Sequence, residues 1–108
     1  NHFFSRIHVE DIANVLFSSL NNLKKKEIYN ISDNQPASAE EVTLYGVKLL
    51  GIDKPKIIEI EDIESEMLKN FYKDSKKVDN KKMEKFFNYK LKYPTYVEGL
   101  NYIFNNII

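Results

Sequence analysis

A chain of 108 residues, 43% hydrophobic and 13% aromatic, is enough for one small domain with a core but small for an enzyme that carries both a cofactor site and a substrate site. Sixteen Lys and Arg balance sixteen Asp and Glu, and zero net charge argues against a general grip on nucleic acid or an anionic membrane. With no Cys, a disulfide framework and a thiolate metal site are excluded; with no membrane-length apolar run and no signal peptide visible, the cytoplasm is the expected compartment.

The chain begins at Asn1 rather than Met, as expected of a fragment or processed piece. Ser5 to Ala13 reads as a strand end (Arg6, Ile7, His8, Val9 alternating) that runs into a helix. Glu10 and Asp11 fall in that helix's first turn, where unpaired backbone N–H groups and the positive helix end favour negative charge. The helix is expected over about Glu10 to Leu20, with an apolar stripe of Ile12, Leu16 and Leu20 flanked by Val9 and Ala13. Asn21-Asn22 and Lys24-Lys25-Lys26 end it, and cations there complement the helix dipole.

Glu27 to Ser32 has the composition of a short strand. Asp33 to Pro36 is a turn, and Ser38 with Glu41 forms a capping box. The helix it opens carries Val42, Tyr45 and Leu49 on one face and stops at Gly51. Lys56 to Ile60 fits an edge strand. Asp62 to about Phe71 reads as helical, with Ile63, Met67 and Phe71 at four-residue spacing. Tyr72 to Asp79 is polar and irregular, with a short strand around Lys77-Val78. Asn80 starts another helix carrying Met83, Phe86 and Phe87, and Asn88 closes it. Tyr89 to Tyr93 is an extended piece before Pro94. Thr95 and Glu98 form a second capping box, and the last helix shows a stripe of Val97, Leu100, Phe104 and Ile107. Three short strands make a marginal sheet, so they are expected to extend a sheet lying elsewhere.

Catalytic and phosphate-binding motifs are missing. The glycines at 46, 51 and 99 are too far apart for a dinucleotide turn or a P-loop, and no G-x-S-x-G elbow occurs. His2 and His8 do not sit at metal-ligand spacing with carboxylates. Tyr72-x-x-x-Lys76 has the spacing of a Tyr/Lys proton relay, but it falls in the least helical stretch of a chain rich in both residues. For His8 a structural histidine bonded to backbone outweighs a catalytic role, and Asp11 suits a helix start better than a general base. Arg6 fits either a surface ion pair or a phosphate held bidentately. The basic run Lys73, Lys76, Lys77, Lys81 and Lys82 reads first as a solvated face, and near a helix start it also suits a phosphate.

Taken together, Arg6 to Ala13, Glu27 to Asp33, Gln35-Pro36 leading to Glu40-Glu41 and Leu49-Leu50-Gly51, Val78 to Lys82, Phe87-Asn-Tyr89 and Tyr93 to Leu100 resemble, in order and spacing, the C-terminal part of an extended short-chain dehydrogenase/reductase. This is the NAD-dependent nucleotide-sugar epimerase/dehydratase family. The resemblance implies an α/β fold, mostly helices with a few short strands, as the C-terminal portion of a Rossmann-type enzyme. Residues 1–108 would be a single substrate-binding domain. The Rossmann domain that binds NAD or NADP and carries the catalytic Tyr/Lys pair would lie outside this chain, as its partner in the same or a separate chain. The chain itself would bind no cofactor and have no catalysis of its own. Substrate, a nucleotide sugar or another small molecule, would dock against Arg6, Lys77 and the loop after Ser32. The arginine that often contacts substrate phosphate in the family falls two residues before Arg6, where this chain has Phe4. The later basic residue falls at Lys76 or Lys77, and lysine is a weaker bidentate phosphate partner. Asn88 stands where the family has Gly, a position asparagine tolerates in left-handed backbone.

The alternative is a split-gene remnant acting as a small interaction domain, self-associating through an apolar face that the Rossmann half would otherwise cover. A nucleic-acid-binding module rests on the lysines alone and is remote at zero net charge.

Overall fold

The computed structural model describes residues 2–20, 27–56 and 58–108. In chain order it comprises β1 (Phe3–Phe4), α1 (Val9–Ser19), β2 (Ala37–Ser38), α2 (Ala39–Leu50), a 3-10 turn (Ile60–Asp62), α3 (Glu66–Lys73), α4 (Lys81–Phe87) and α5 (Tyr96–Asn106). It is a small, mostly helical α/β unit whose sheet is one antiparallel pair, Phe3 facing Ser38 and Phe4 facing Ala37. No helix among the described residues is long and apolar enough to cross a membrane.

The helix starts follow the capping chemistry. Ser38 Oγ accepts the Glu41 N–H at 3.1 Å, and Thr95 Oγ1 accepts the Val97 N–H at 3.2 Å, so α2 and α5 begin where serine and threonine stand. Gly51 closes α2 at φ 66°, and Asn88 closes α4 at φ 48°, both left-handed. α2 then packs on α5, with Tyr45 edge-on to Tyr96 and bonded through its hydroxyl to Asn101.

Several elements differ from the sequence reading. The opening strand is Phe3–Phe4 rather than Arg6–Val9, because a ladder forms only where a partner strand lies alongside, and β2 is two residues long. Glu27 to Ser32 and Lys56 to Ile60 are in no strand among the described residues. Residues 28–31 nevertheless alternate in burial with period two: Ile28 and Asn30 point out, while Tyr29 and Ile31 pack on the core. They make no backbone–backbone hydrogen bond among the described residues. Lys77-Val78 is not a strand either, but its neighbourhood is bonded along the chain start: Lys76 N–H to the Phe3 carbonyl and Val78 N–H to Ser5 Oγ, both at 2.8 Å. α3 begins at Glu66, not Asp62, because Ser65 caps it through the Leu68 N–H. Asn80 stands at the start of α4 without capping it. Its amide instead ties the Ser32 carbonyl to Asn34, and Asp79 accepts the Lys81 N–H. The lysine run 24–26 and Asn21-Asn22 lie outside the described residues.

The core is small. Val15 of α1, Met83 and Phe87 of α4, and Leu91 form it, with Ile7, Tyr29, Ile31, Phe86 and Tyr89 against its edge. The expected stripe of α1 points the other way. Leu16 is 56% and Phe17 70% exposed, with Val9 and Leu20 exposed beside them, while Asp11 and Val15 are at 0% and 1%. In α5 the covered side is Tyr96, Gly99, Leu100 and Ile103, one position round from the expected stripe, and Phe104 and Ile107 face out.

The shape matches this thin core. The chain measures 46 × 33 × 18 Å with a radius of gyration of 16.2 Å, against about 13 Å for a compact domain of this length. Its accessible surface is 8223 Å², where a folded monomer of 12.7 kDa exposes about 6,200 Å².

Candidate functional site

The junction into α1 is tied by its carboxylates to the loop before α5. Asp11 is wholly buried, and three donors converge on it: the backbone N–H groups of Lys92 and Tyr93, at 2.9 and 3.0 Å, and the Tyr89 hydroxyl. Next to it Glu10 accepts the Tyr93 hydroxyl at 2.8 Å and the Lys92 ammonium at 3.4 Å. The Tyr93 hydrogen bond, helped by Lys92, holds the Glu10 carboxyl below its ordinary range. Loss of water, then the bond to Glu10, pushes the Tyr93 phenol up. His8 is the N-cap of α1, its Nδ1 accepting the Glu10 N–H at 3.1 Å, which leaves the ring proton of a neutral imidazole on Nε2. The ring stacks on Tyr93 at 3.9 Å and lies edge-on to Tyr102. Gly99 makes room for it, since a Cβ there would stand 3.1 Å from His8 Cδ2. Asp11 and His8 therefore position backbone and loop. Their contacts are with this chain's own groups.

Arg6 and Asp33 meet nearby. Arg6 Nη1 donates to the carbonyls of Ala37 (2.8 Å) and Phe4 (3.3 Å), and its guanidinium lies 5.6 Å from the Phe4 ring centre. Asp33 is buried and accepts the Gln35 N–H at 3.0 Å. Burial raises its carboxyl above the ordinary value, against the opposing pull of that bond and of Arg6. Both residues, with His8 and Thr95, line a cleft of about 300 Å³ whose other walls are largely apolar.

A larger cleft, about 970 Å³, opens beside Phe4 of β1 and Ser38 of β2. One wall is Phe4 and the start of α2 from Ser38 to Glu40. The other is the arm from Ile58 through Ser65 to Leu68 and Tyr72. Phe4 hinges the two, stacked on Phe71 at 4.9 Å and edge-on to Tyr72 at 6.0 Å. Volumes near this size are typical of small-molecule sites.

The two residues assigned to substrate from sequence are not brought together. Arg6 lines the smaller cleft, whereas the Lys77 ammonium sits 4.1 Å from the ring centre of Phe3. Phe3 and Phe4 are successive strand residues and point to opposite faces, so the two cations lie on opposite sides of β1. Tyr72 and Lys76 do not share a helix: Tyr72 is in α3, and Lys76 lies beyond its cap Asp74, with its ammonium 4.0 Å from that carboxylate. No group of three or more His, Asp or Glu among the described residues is set to hold a metal ion. A dinucleotide has no glycine turn to sit on, because Gly46 is inside α2, Gly51 is its C-cap and Gly99 is inside α5. The sequence reading missed Glu40, Glu59, Asp62 and Glu64 as lining residues. The acidic run from Glu59 to Glu66 was the available signal.

The fold and clefts define a small, mostly helical α/β unit with a broad trough on one side. Among solved structures, this fold matches a functionally unknown conserved protein from Silicibacter pomeroyi DSS, with a TM-score of 0.91 and 33% sequence identity. The match covers 97% of this chain and 38% of that one, so the chain spans well under half the length of this relative. No protein-family model matches the chain, and no curated protein does.

Proposed function

We propose that this chain is the substrate-binding C-terminal region of an NAD(P)-dependent epimerase, dehydratase or related oxidoreductase of the extended short-chain dehydrogenase/reductase type. In this reading the cofactor and the catalytic Tyr/Lys pair belong to a Rossmann domain outside the chain. The observation that carries it is the strand-like segment 28–31, which alternates in burial but bonds to no strand among the described residues, in a chain whose α1 turns its apolar stripe outward. Such a segment is an open sheet edge, and such a helix is apolar enough to be covered on both sides. The surface in excess of a folded monomer is roughly 2,000 Å² by the scaling with mass, the area of a substantial interface. A relative of greater length that contains this fold whole is compatible with the same arrangement. The ordered resemblance from Arg6 to Leu100 names the family.

The test is co-expression with a candidate Rossmann-domain polypeptide, followed by co-purification and an NAD(P)H turnover assay. The expected result is a stable complex that turns over only when both parts are present and that is lost on Phe17→Glu. A chain that stays monomeric at high concentration, with or without the partner, would overturn both this reading and the rival one of a self-associating interaction domain.

A further inference from the structure

The smaller cleft is lined by two charged groups that do not satisfy each other. Asp33 is 5% exposed, and one of its carboxylate oxygens, Oδ1, accepts the Gln35 N–H. Its other oxygen, Oδ2, accepts no hydrogen bond among the described residues. Arg6 uses Nη1 for the Ala37 and Phe4 carbonyls, and its Nε and Nη2 have no acceptor among the described residues. The two side chains attract one another, since Arg6 opposes the rise that burial imposes on the Asp33 carboxyl, yet they form no ion pair among the described residues. His8 Nε2, next to the ring carbon that meets Gly99 in the same lining, is likewise without a partner. A buried carboxylate with an unfilled oxygen carries a desolvation cost that a donor entering the cleft relieves. An anion placed here meets Asp33, and a cation meets Arg6. An uncharged head that donates from one atom and accepts at the next suits both. The other walls, among them Val42, Leu100 and Ile103, are apolar. A cleft of about 300 Å³ is at the small end of ligand sites and has room for one ring with its head group.

We infer that the smaller cleft binds an uncharged, one-ring molecule carrying a primary carboxamide. The inference rests on reading the chain as a substrate-binding region and names the head group that the ligand brings to Arg6. The amide NH2 donates to Asp33 Oδ2, and the amide oxygen accepts from the free N–H groups of Arg6. The ring lies on the apolar walls.

Probes of one shape separate these contacts. The 108-residue chain is titrated with benzamide, benzoate, benzamidine and acetophenone, followed by amide NMR shifts. Benzamide is expected to give saturable shifts at residues 32–34 and 95–100. Benzoate brings a negative charge, benzamidine a positive one, and acetophenone keeps the oxygen but has no N–H, so each should bind about tenfold more weakly. In Asp33→Asn the side-chain oxygen stays with the Gln35 N–H and an NH2 replaces Oδ2, so the preference for benzamide over acetophenone should disappear. The inference is overturned if acetophenone or either charged probe binds as well as benzamide, if benzamide leaves those amides unmoved, or if folded Asp33→Asn keeps the preference. The four probes on the parent chain decide the matter even where the variant does not fold. No cofactor or turnover enters the measurement. Failure to find a Rossmann partner would sink the oxidoreductase reading and leave this result standing.

Discussion

The two faces of α1 differ sharply in what they bury. On one face Asp11 and Val15 are closed off from solvent, the first holding the 89–93 loop through three hydrogen bonds and the second packed in the core cluster with Met83 and Phe87. On the other, Val9, Leu16, Phe17 and Leu20 stand in solvent. A surface helix of an isolated domain shows one apolar stripe turned inward. Here the polar residue is inside and the apolar stripe outside. The difference teaches that the inward face is fixed by satisfied hydrogen bonds and a few core side chains, whereas the outward face is left exposed among the described residues.

The inward face should be the costlier to break. Asp11→Ala leaves the buried Tyr93 N–H, the half-buried Lys92 N–H and the Tyr89 hydroxyl without their acceptor, at roughly 1–3 kcal/mol for each unsatisfied group, so a loss of about 3–5 kcal/mol is expected. Met83→Ala, at a fully buried position, should cost about 2–5 kcal/mol. Urea midpoints measure both. On the outward face, Leu16→Glu and Phe17→Glu should change stability by no more than about 0.5 kcal/mol while abolishing association with whatever covers that face. A large loss of stability in the outward variants would mean the stripe packs against this chain after all.

How much of this was readable beforehand depended on whether the signal was local. Ser38, Thr95, Gly51 and Asn88 announce helix ends through their own backbone geometry, and they fall where the sequence puts them. Strands need a neighbour. Residues 28–31 carry the pattern of a strand but form no ladder among the described residues, and no local rule says whether a ladder will form. The direction of the α1 stripe was unreadable for the same reason, because periodicity marks an apolar face without saying what it meets. At the cleft, Arg6 and Lys77 were chosen as isolated cations. That one bonds to carbonyls and the other stacks on Phe3 depends on the pairing of β1 with β2 and the docking of residues 74–78 alongside. The acidic lining comes from two segments some twenty residues apart and emerges only when they fold across from each other.

Two helical glycines sharpen the comparison further, because they should respond with opposite signs. Gly46 lies inside α2 with nothing within 4 Å of a Cβ built on it, so Gly46→Ala should stabilise by about 0.5–1 kcal/mol through helix propensity. Gly99 supports the inward side, where the His8 ring is clamped between Tyr93 and the Glu10 N–H and cannot yield the few tenths of an ångström a methyl group needs. Overpacking there costs roughly 1–3 kcal/mol and outweighs the propensity gain. Thermal melts of the two variants should therefore move in opposite directions. A stabilising Gly99→Ala would show that His8 is free to move.

The smallest expected effects are pH-dependent and again separate two environments. Glu10 titrates below its ordinary 4.5 because Tyr93 and Lys92 hydrogen-bond its charged form. Its contribution is fully present above pH 4.5 and is lost as pH falls through the lowered value. Because Glu10 is solvent-accessible, the loss is small and shrinks with salt. Asp33 titrates above its ordinary 3.8 because burial disfavours the charge. Its contribution is fully present below 3.8 and is lost as pH rises through the raised value, so at neutral pH its charge opposes folding. Asp33→Asn keeps an oxygen for the Gln35 N–H and removes the charge. Melts from pH 7 to pH 3 should show this variant ahead of the parent at neutral pH, with the advantage vanishing on acidification. Glu10→Gln should instead fall behind at neutral pH and converge with the parent in acid. If Asp33→Asn melts lower at pH 7, the attraction of Arg6 exceeds the cost of burying the Asp33 charge.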